Sequence, residues 1–400
     1  MNVISKNQEL SALFEELKSK GYSLDLTRGR PSQEQLDLSN ELQASKHNFS
    51  DFEGVDIRNY GGILGLEGCR ALGSKIMGCN KELVIAGGNS SLSLMATYIS
   101  SLMYSQDEEK WPADVSFICP VPGYDRHFKL CEHFGINMIP VTLTGEGPDL
   151  LEVEELVLNN KTIRGIWCVP KHSNPSGETY SLDIINGLLK IFSSAEPGSK
   201  IFWDNAYSVH DFLPSPQLED IFQLAENSST SNLVVSFGST SKITFAGGGI
   251  GFIAMTKENQ NKFIPHYQAT LISPDKINQA RHIEFFSKKS LEEHMRDHGD
   301  LLRPKFQLIS DMLSKQPFGT WTRPTGGYFV LFKTKKGLSK RVVSIANELG
   351  LKLTPAGSTH PFGLDPNEEF IRIAPTVCSL EEIKVAMEIF SCAVGIAHSE

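Results

Sequence analysis

Between residues 83 and 255 the chain alternates short apolar runs with helical patterns, and this alternation constrains the fold more than any other feature. The runs are Val115 to Cys119, Met138 to Leu143, Ile163 to Val169, Lys200 to Trp203, Leu233 to Phe237 and Ile250 to Met255. Strands separated by helical segments can return to the same sheet only through crossovers, so the spacing predicts a mainly parallel sheet with helices on its faces. Leu188, Leu189, Ile191 and Phe192 supply the apolar stripe of one such crossover helix. At 400 residues the chain exceeds what one core usually holds, which predicts a second, smaller unit.

The texture changes after residue 300. Gly326 to Phe332 and Phe370 to Ile373 read as strands, and Ser379 with Glu382 forms a capping box ahead of Ile383, Ala386, Met387 and Phe390 on one helical face. Near the start, Leu10, Leu13, Phe14 and Leu17 mark a helix over residues 8–20 that Gly21 can close. These elements predict an α/β architecture with a large domain over 53–299 and a small α+β domain built from 1–52 together with 300–400.

Hydrophobic residues make up 40% of the chain and charged residues 21%, which is ordinary for a globular protein. A formal charge of -9 without a long Lys/Arg run argues against a nucleic-acid surface, since phosphate binding needs a basic stripe. No apolar run reaches the length of a membrane span, and Met1 to Lys6 carries no apolar leader, so a cytoplasmic protein is expected. Seven scattered cysteines without Cys-x-x-Cys spacing read as reduced and mostly buried.

In open α/β sheets ligands bind beyond the carboxyl ends of the strands, so the polar residues that follow the apolar runs carry the chemistry. Four segments stand there: Gly87-Gly88-Asn89-Ser90-Ser91, Lys171-His172-Ser173-Asn174-Pro175-Ser176-Gly177, Asp204-Asn205-Ala206-Tyr207, and Ser239-Thr240-Ser241-Lys242 followed by Gly247-Gly248-Gly249. A desolvated lysine has a lowered pKa, and its neutral amine can form a Schiff base with a carbonyl. The neighbouring hydroxyls and glycines suit a phosphate.

The order Asn-Pro-x-Gly, Asp-x-Ala-Tyr, Ser-x-Ser-Lys and a late strand arginine resembles the fold-type-I, class I aminotransferases that use pyridoxal 5'-phosphate. The resemblance runs from about Thr27 to Pro375. It implies that Lys242 holds the cofactor and moves the substrate's proton, that Asp204 pairs with the protonated pyridine nitrogen, and that Asn174 and Tyr207 bond the phenolic oxygen. It implies phosphate donors in Asn89, Ser90, Ser239 and Ser241, an aromatic stacked on the ring in Tyr124, and Arg372 as the grip on the substrate carboxylate, with Gly29 covering the substrate. Tyr60, with Gly65 and Arg70 five and ten residues on, fits a tyrosine that reaches the neighbouring subunit's phosphate, which implies a homodimer with shared sites.

One departure stands out. Most class I members carry a phosphate-binding arginine eight residues after the lysine, and this chain has Ile250. Together with Arg28-Gly29-Arg30-Pro31-Ser32, the lysine segment looks like a divergent branch that includes a bacterial aspartate aminotransferase subgroup and domains fused to winged-helix regulators. The resemblance implies an aminotransferase working between an L-amino acid and a 2-oxo acid, with aspartate and 2-oxoglutarate as the expected pair. Arg30, Lys171 and Arg126 are candidates for a distal carboxylate. A β-lyase or decarboxylase on the same cofactor is the first alternative. A cofactor-binding sensor is the second, disfavoured because only some 25 residues precede Thr27, too few for a DNA-binding module. His294 and His298 share a helical face, but their charged neighbours read as a solvated surface and no metal is expected.

Overall fold

The computed structural model describes residues 3–44, 48–52, 54–105 and 110–400, with side chains from residue 8 onward. Met1, Asn2 and the expected domain start at residue 53 lie outside the described residues. The chain opens with helix Val3–Ser19 and Gly21 at φ 61°, followed by the short strand β1 (Leu24–Asp25). Leu17 packs inward, whereas Leu13, expected on the buried stripe, faces outward.

Seven strands then build the large sheet: β2 (Val84–Ala86), β3 (Ser116–Val121), β4 (Asn137–Thr142), β5 (Ile163–Cys168), β6 (Lys200–Asp204), β7 (Val234–Ser239) and β8 (Gly251–Ala254). Their order is β2-β8-β7-β6-β5-β3-β4. The pairs β3·β4, β3·β5, β5·β6 and β6·β7 are parallel, and β8 runs antiparallel to both β2 and β7. The mainly parallel sheet predicted from the alternation is therefore present, and the three-residue β2 is the strand that periodicity overlooks.

The central strands are mostly apolar because both of their faces are covered. On β6, Ile201 and Trp203 join one core while Phe202 joins the other, the two-residue period of a pleated strand. Phe202 stacks on Phe237 at 5.7 Å and tilts against Trp167 at 4.8 Å. The crossover helix Leu182–Phe192 buries Ile185, Leu188, Leu189, Ile191 and Phe192. All seven cysteines are buried.

The strands β9 (Thr320–Trp321), β10 (Val330–Lys333) and β12 (Phe370–Ile373) form an antiparallel sheet, and β11 (Leu351–Lys352) pairs in parallel with β1. Their core joins Leu17 and Leu26 to residues from Leu302 to Ala397, so both ends of the chain contribute to it. The capping box at Ser379 and Glu382 opens helix Leu380–Ser399 as expected. Helix Leu291–Leu313 reaches from the first core, at Leu291 and Met295, to this one, at Leu302, Phe306, Ile309 and Leu313. The expected boundary between residues 299 and 300 thus falls inside a continuous helix.

Candidate active site

Because β5, β6 and β7 are adjacent and parallel, their carboxyl ends lie side by side and present Asn174, Asp204 to Tyr207, and Ser239 to Lys242 at one edge. The antiparallel β8 brings the end of β2 to that edge: the Gly87 N–H donates to the Gly251 carbonyl and the Gly251 N–H to that of Gly88. Four segments remote in sequence therefore converge.

Asp204 ends β6 and is 2% exposed. Its Oδ2 lies 3.0 Å from Nε2 of His127, whose ring stacks on Trp167 at 4.2 Å with planes 9° apart. The other oxygen, Oδ1, is buried with no hydrogen-bond partner among the described residues. Leaving a buried carboxylate oxygen unpaired is costly, so the site is shaped for a donor that the described residues do not supply.

Lys242 follows β7, with Nζ 4.8 Å from the Tyr207 ring centre. Burial disfavours its charged form and lowers its pKa, a shift that the Asp204 charge only partly opposes. The lysine backbone is fixed from behind: the Tyr328 hydroxyl donates to the Lys242 carbonyl at 3.2 Å, and His210 Nε2 lies 3.3 Å from the same oxygen. The Gln35 amide donates to the Tyr328 hydroxyl and approaches His298 Nδ1, both at 3.0 Å, and His294 Nε2 donates to the Ile243 carbonyl at 2.7 Å. His294 and His298 are thus buried supports of the lysine loop and not part of a solvated surface as expected. Burial holds both imidazoles below their usual pKa, His298 at about 3. Among the described residues no group of three or more His, Cys, Asp or Glu could hold a metal.

Beside the lysine, Ser90 caps helix Ser91–Tyr104, its hydroxyl accepting the Ser93 N–H at 3.3 Å. Gly88 sits at φ 69°, a left-handed conformation that a glycine adopts without strain. Ser241 Oγ reaches the Asn89 carbonyl at 3.4 Å, and Ser239 Oγ accepts the Ser241 N–H at 3.4 Å. These hydroxyls and the helix N-terminus form a cradle suited to an anion. Ile250 does not reach into it; its side chain is 1% exposed in the core and its N–H donates to Thr240 Oγ1 at 2.9 Å.

Arg372 projects from β12, buried. Nε reaches Thr354 Oγ1 at 3.3 Å, Nη2 the Thr27 carbonyl at 3.2 Å, and Nη1 both Asn174 Oδ1 at 3.3 Å and Asp125 Oδ1 at 3.2 Å. The guanidinium also lies 5.0 Å from the Phe329 ring centre. Gly29 passes directly over that ring, where a Cβ would stand 2.5 Å from Phe329 Cζ. Tyr124 caps helix Asp125–Phe134 and meets the His127 ring edge-on at 4.9 Å, and burial raises its pKa.

Other expected residues lie elsewhere. Lys171 is bound to Asp211 at 2.9 Å, and Asp211 also takes His172 Nε2 at 2.6 Å, so this lysine is engaged. Burial pushes the Asp211 carboxyl up, but hydrogen bonds from His172, Ser215 and Lys171 outweigh it and hold the pKa down. Arg30 is exposed on a depression that it shares with Asp25, Arg28, Lys352 and Glu382, and Arg126 is exposed beside Tyr124. Tyr60 is 77% exposed and lines a depression of about 540 Å³ with Gly62, Gly65 and Lys276. Sequence reasoning missed His127, Trp167 and Asp125; the first and last both follow Tyr124 in the first turn of its helix, where a helix start facing the strand ends was the available signal.

This fold, with a lysine and a buried aspartate at adjacent strand ends, is that of the fold-type-I aminotransferases. A family model described as aspartate amino-transferase matches residues 2–400, and the chain belongs to that family. It is 39% identical to an aspartate aminotransferase of Corynebacterium glutamicum over 98% of this chain and 94% of that protein. A solved aspartate transaminase of Corynebacterium glutamicum superposes with a TM-score of 0.93 at 38% identity, covering 99% of this chain and 96% of the other. The α-aminoadipate aminotransferase of Thermus thermophilus shares the fold at 22% identity, with a TM-score of 0.77 over 96% of this chain and 95% of that one.

Proposed function

We propose that this aminotransferase carries pyridoxal 5'-phosphate on Lys242 and transfers the amino group of L-aspartate to 2-oxoglutarate in two half-reactions. The observation that carries the cofactor reading is the buried, unpartnered Oδ1 of Asp204, a ready acceptor for a protonated ring nitrogen, with the Lys242 amine in the same site. The aspartate reading is supported by the Corynebacterium relative. When bound, the cofactor supplies a carbonyl carbon for amine exchange and an electron sink beside the substrate's Cα.

The chain's own groups divide the remaining work. His127 holds Asp204 through Oδ2, and Oδ1, which has no partner among the described residues, would accept from the ring nitrogen of a bound cofactor. Lys242, whose pKa burial lowers, would take the proton from the substrate's Cα and return it on the other side of the exchange. Asn174 and Tyr207 would bond the phenolic oxygen of a bound cofactor and Tyr124 would cover its ring, while Ser90, Ser239, Ser241 and the Asn89 backbone would hold its phosphate. Arg372 grips the substrate carboxylate, and the segment carrying Gly29 closes over it; the unit formed by 1–52 and 300–400 moves as the closing lobe. Arg30 is exposed and stays available as a contact for a distal carboxylate, whereas Lys171 is committed to Asp211. The exposure of Tyr60 supports a homodimer in which it completes the neighbouring site.

The visible absorption spectrum of the purified protein, taken with and without L-aspartate, tests this reading. A cofactor band that bleaches with aspartate, returns with 2-oxoglutarate and is missing in Lys242→Ala is the expected result. No band in the wild type overturns the cofactor reading, and a band indifferent to aspartate overturns the substrate.

A further inference from the structure

A guanidinium has five N–H donors, and on Arg372 four are already committed: one to Thr354, two to Asp125 and Asn174, and one to the Thr27 carbonyl. One N–H on Nη2 remains. A carboxylate gripped in the two-pronged manner needs two donors, so at least one existing bond must break when it binds. Thr354 and Asn174 are neutral, and Thr27 contributes a backbone carbonyl. Asp125 alone among these partners has the same charge and the same acceptor geometry as the incoming group.

Asp125 is also placed to leave. Its side chain is 32% exposed against 7% for Arg372, and it occupies the first turn of helix Asp125–Phe134, where the helix dipole and the free N–H groups favour a carboxylate even without the arginine. Resting on the reading of Arg372 as the carboxylate grip, we propose that Asp125 is a resident carboxylate that keeps this arginine charge-paired between turnovers and is displaced by the substrate's own. Asp125 therefore sets a threshold that every substrate carboxylate must exceed, which makes it a residue that tunes substrate affinity. The exchange moves no proton and breaks no covalent bond.

The test uses the cofactor-loaded enzyme and maleate, a dicarboxylate with no amine to react, titrated by calorimetry into wild type, Asp125→Asn, Asp125→Ala and Arg372→Leu. Both Asp125 variants should bind maleate about three- to tenfold more tightly, the gain expected from removing a partly exposed competing ion pair. KM for the amino donor should fall by a similar factor, with kcat within about twofold. Weaker binding in the Asp125 variants would make this residue a support that orients Arg372, and unchanged binding would make the contact inert; either overturns the inference. Maleate affinity that survives Arg372→Leu would overturn the reading of Arg372 itself, and that outcome is separate from the behaviour of Asp125.

Discussion

At the residue scale the site combines a lysine pushed toward neutrality with a carboxylate that lacks one partner. Burial lowers the Lys242 pKa below 10.5, and the neutral amine is the form that attacks a carbonyl. The rate at which cofactor-free protein takes up pyridoxal phosphate should therefore rise with pH and level off below 10.5. Asp204→Asn removes the one charge that raises this pKa, so the bend should move to still lower pH, as stopped-flow absorbance would record. A bend at or above 10.5 in the wild type would contradict the desolvated environment.

Where the polar segments gather was legible because they follow strand ends. Lys242, Asp204 and Asn174 follow apolar runs and Arg372 sits in one, which placed them at a shared edge, while the family resemblance supplied the roles expected of them. Asp125, His127 and the pair His294 and His298 could not be placed, because their partners lie across the fold: Asp125 meets Arg372 and His294 meets Ile243 only after the chain has closed. Charged neighbours such as Arg296 and Asp297 made the histidine helix read as solvated, although its other face packs against the lysine loop.

At the element scale the central strands were predictable because their hydrophobic runs are uninterrupted, while β2 is too short to leave a periodic signal. The loop after β5 carries a carboxyl of a different kind. Burial pushes Glu178 up to about 7, although the Ser176 hydroxyl and the Gly147 N–H, which donates to it at 2.8 Å, favour the charged form. Between 4.5 and about 7 the folded chain therefore binds a proton that the unfolded chain has lost. This contribution to stability is full at the acid end of that range and is lost as pH rises to about 7. Glu178→Gln keeps the acceptor for Gly147 and removes the charge. Its melting temperature should match wild type near pH 4.5 and exceed it at pH 8 by about 2 °C in scanning calorimetry; a lower midpoint at pH 8 would refute the sign.

At the scale of the whole molecule, Tyr60, Val55 and Ile272 are exposed apolar side chains, and the Ser273 hydroxyl ties the segment after Ile272 to the Gly61 carbonyl. If this face completes a neighbour's site, mixing Lys242→Ala chains with Tyr60→Ala chains by denaturation and refolding should restore activity that neither variant has alone. Half of the resulting dimers would be mixed, each with one whole site, giving about a quarter of the wild-type rate. Activity no greater than the sum of the two separate preparations would refute the shared site.

The core that unites the two ends of the chain also dictates an order of events during synthesis. Leu10 packs against Gly395, and Cys392 reaches the Leu10 carbonyl, so helix Val3–Ser19 finds its partner only when Leu380–Ser399 has left the ribosome. At ordinary elongation rates that interval is roughly 20 to 80 seconds. Throughout it the apolar stripe of the first helix has no native cover, which makes this helix the segment a nascent-chain chaperone would be expected to hold longest.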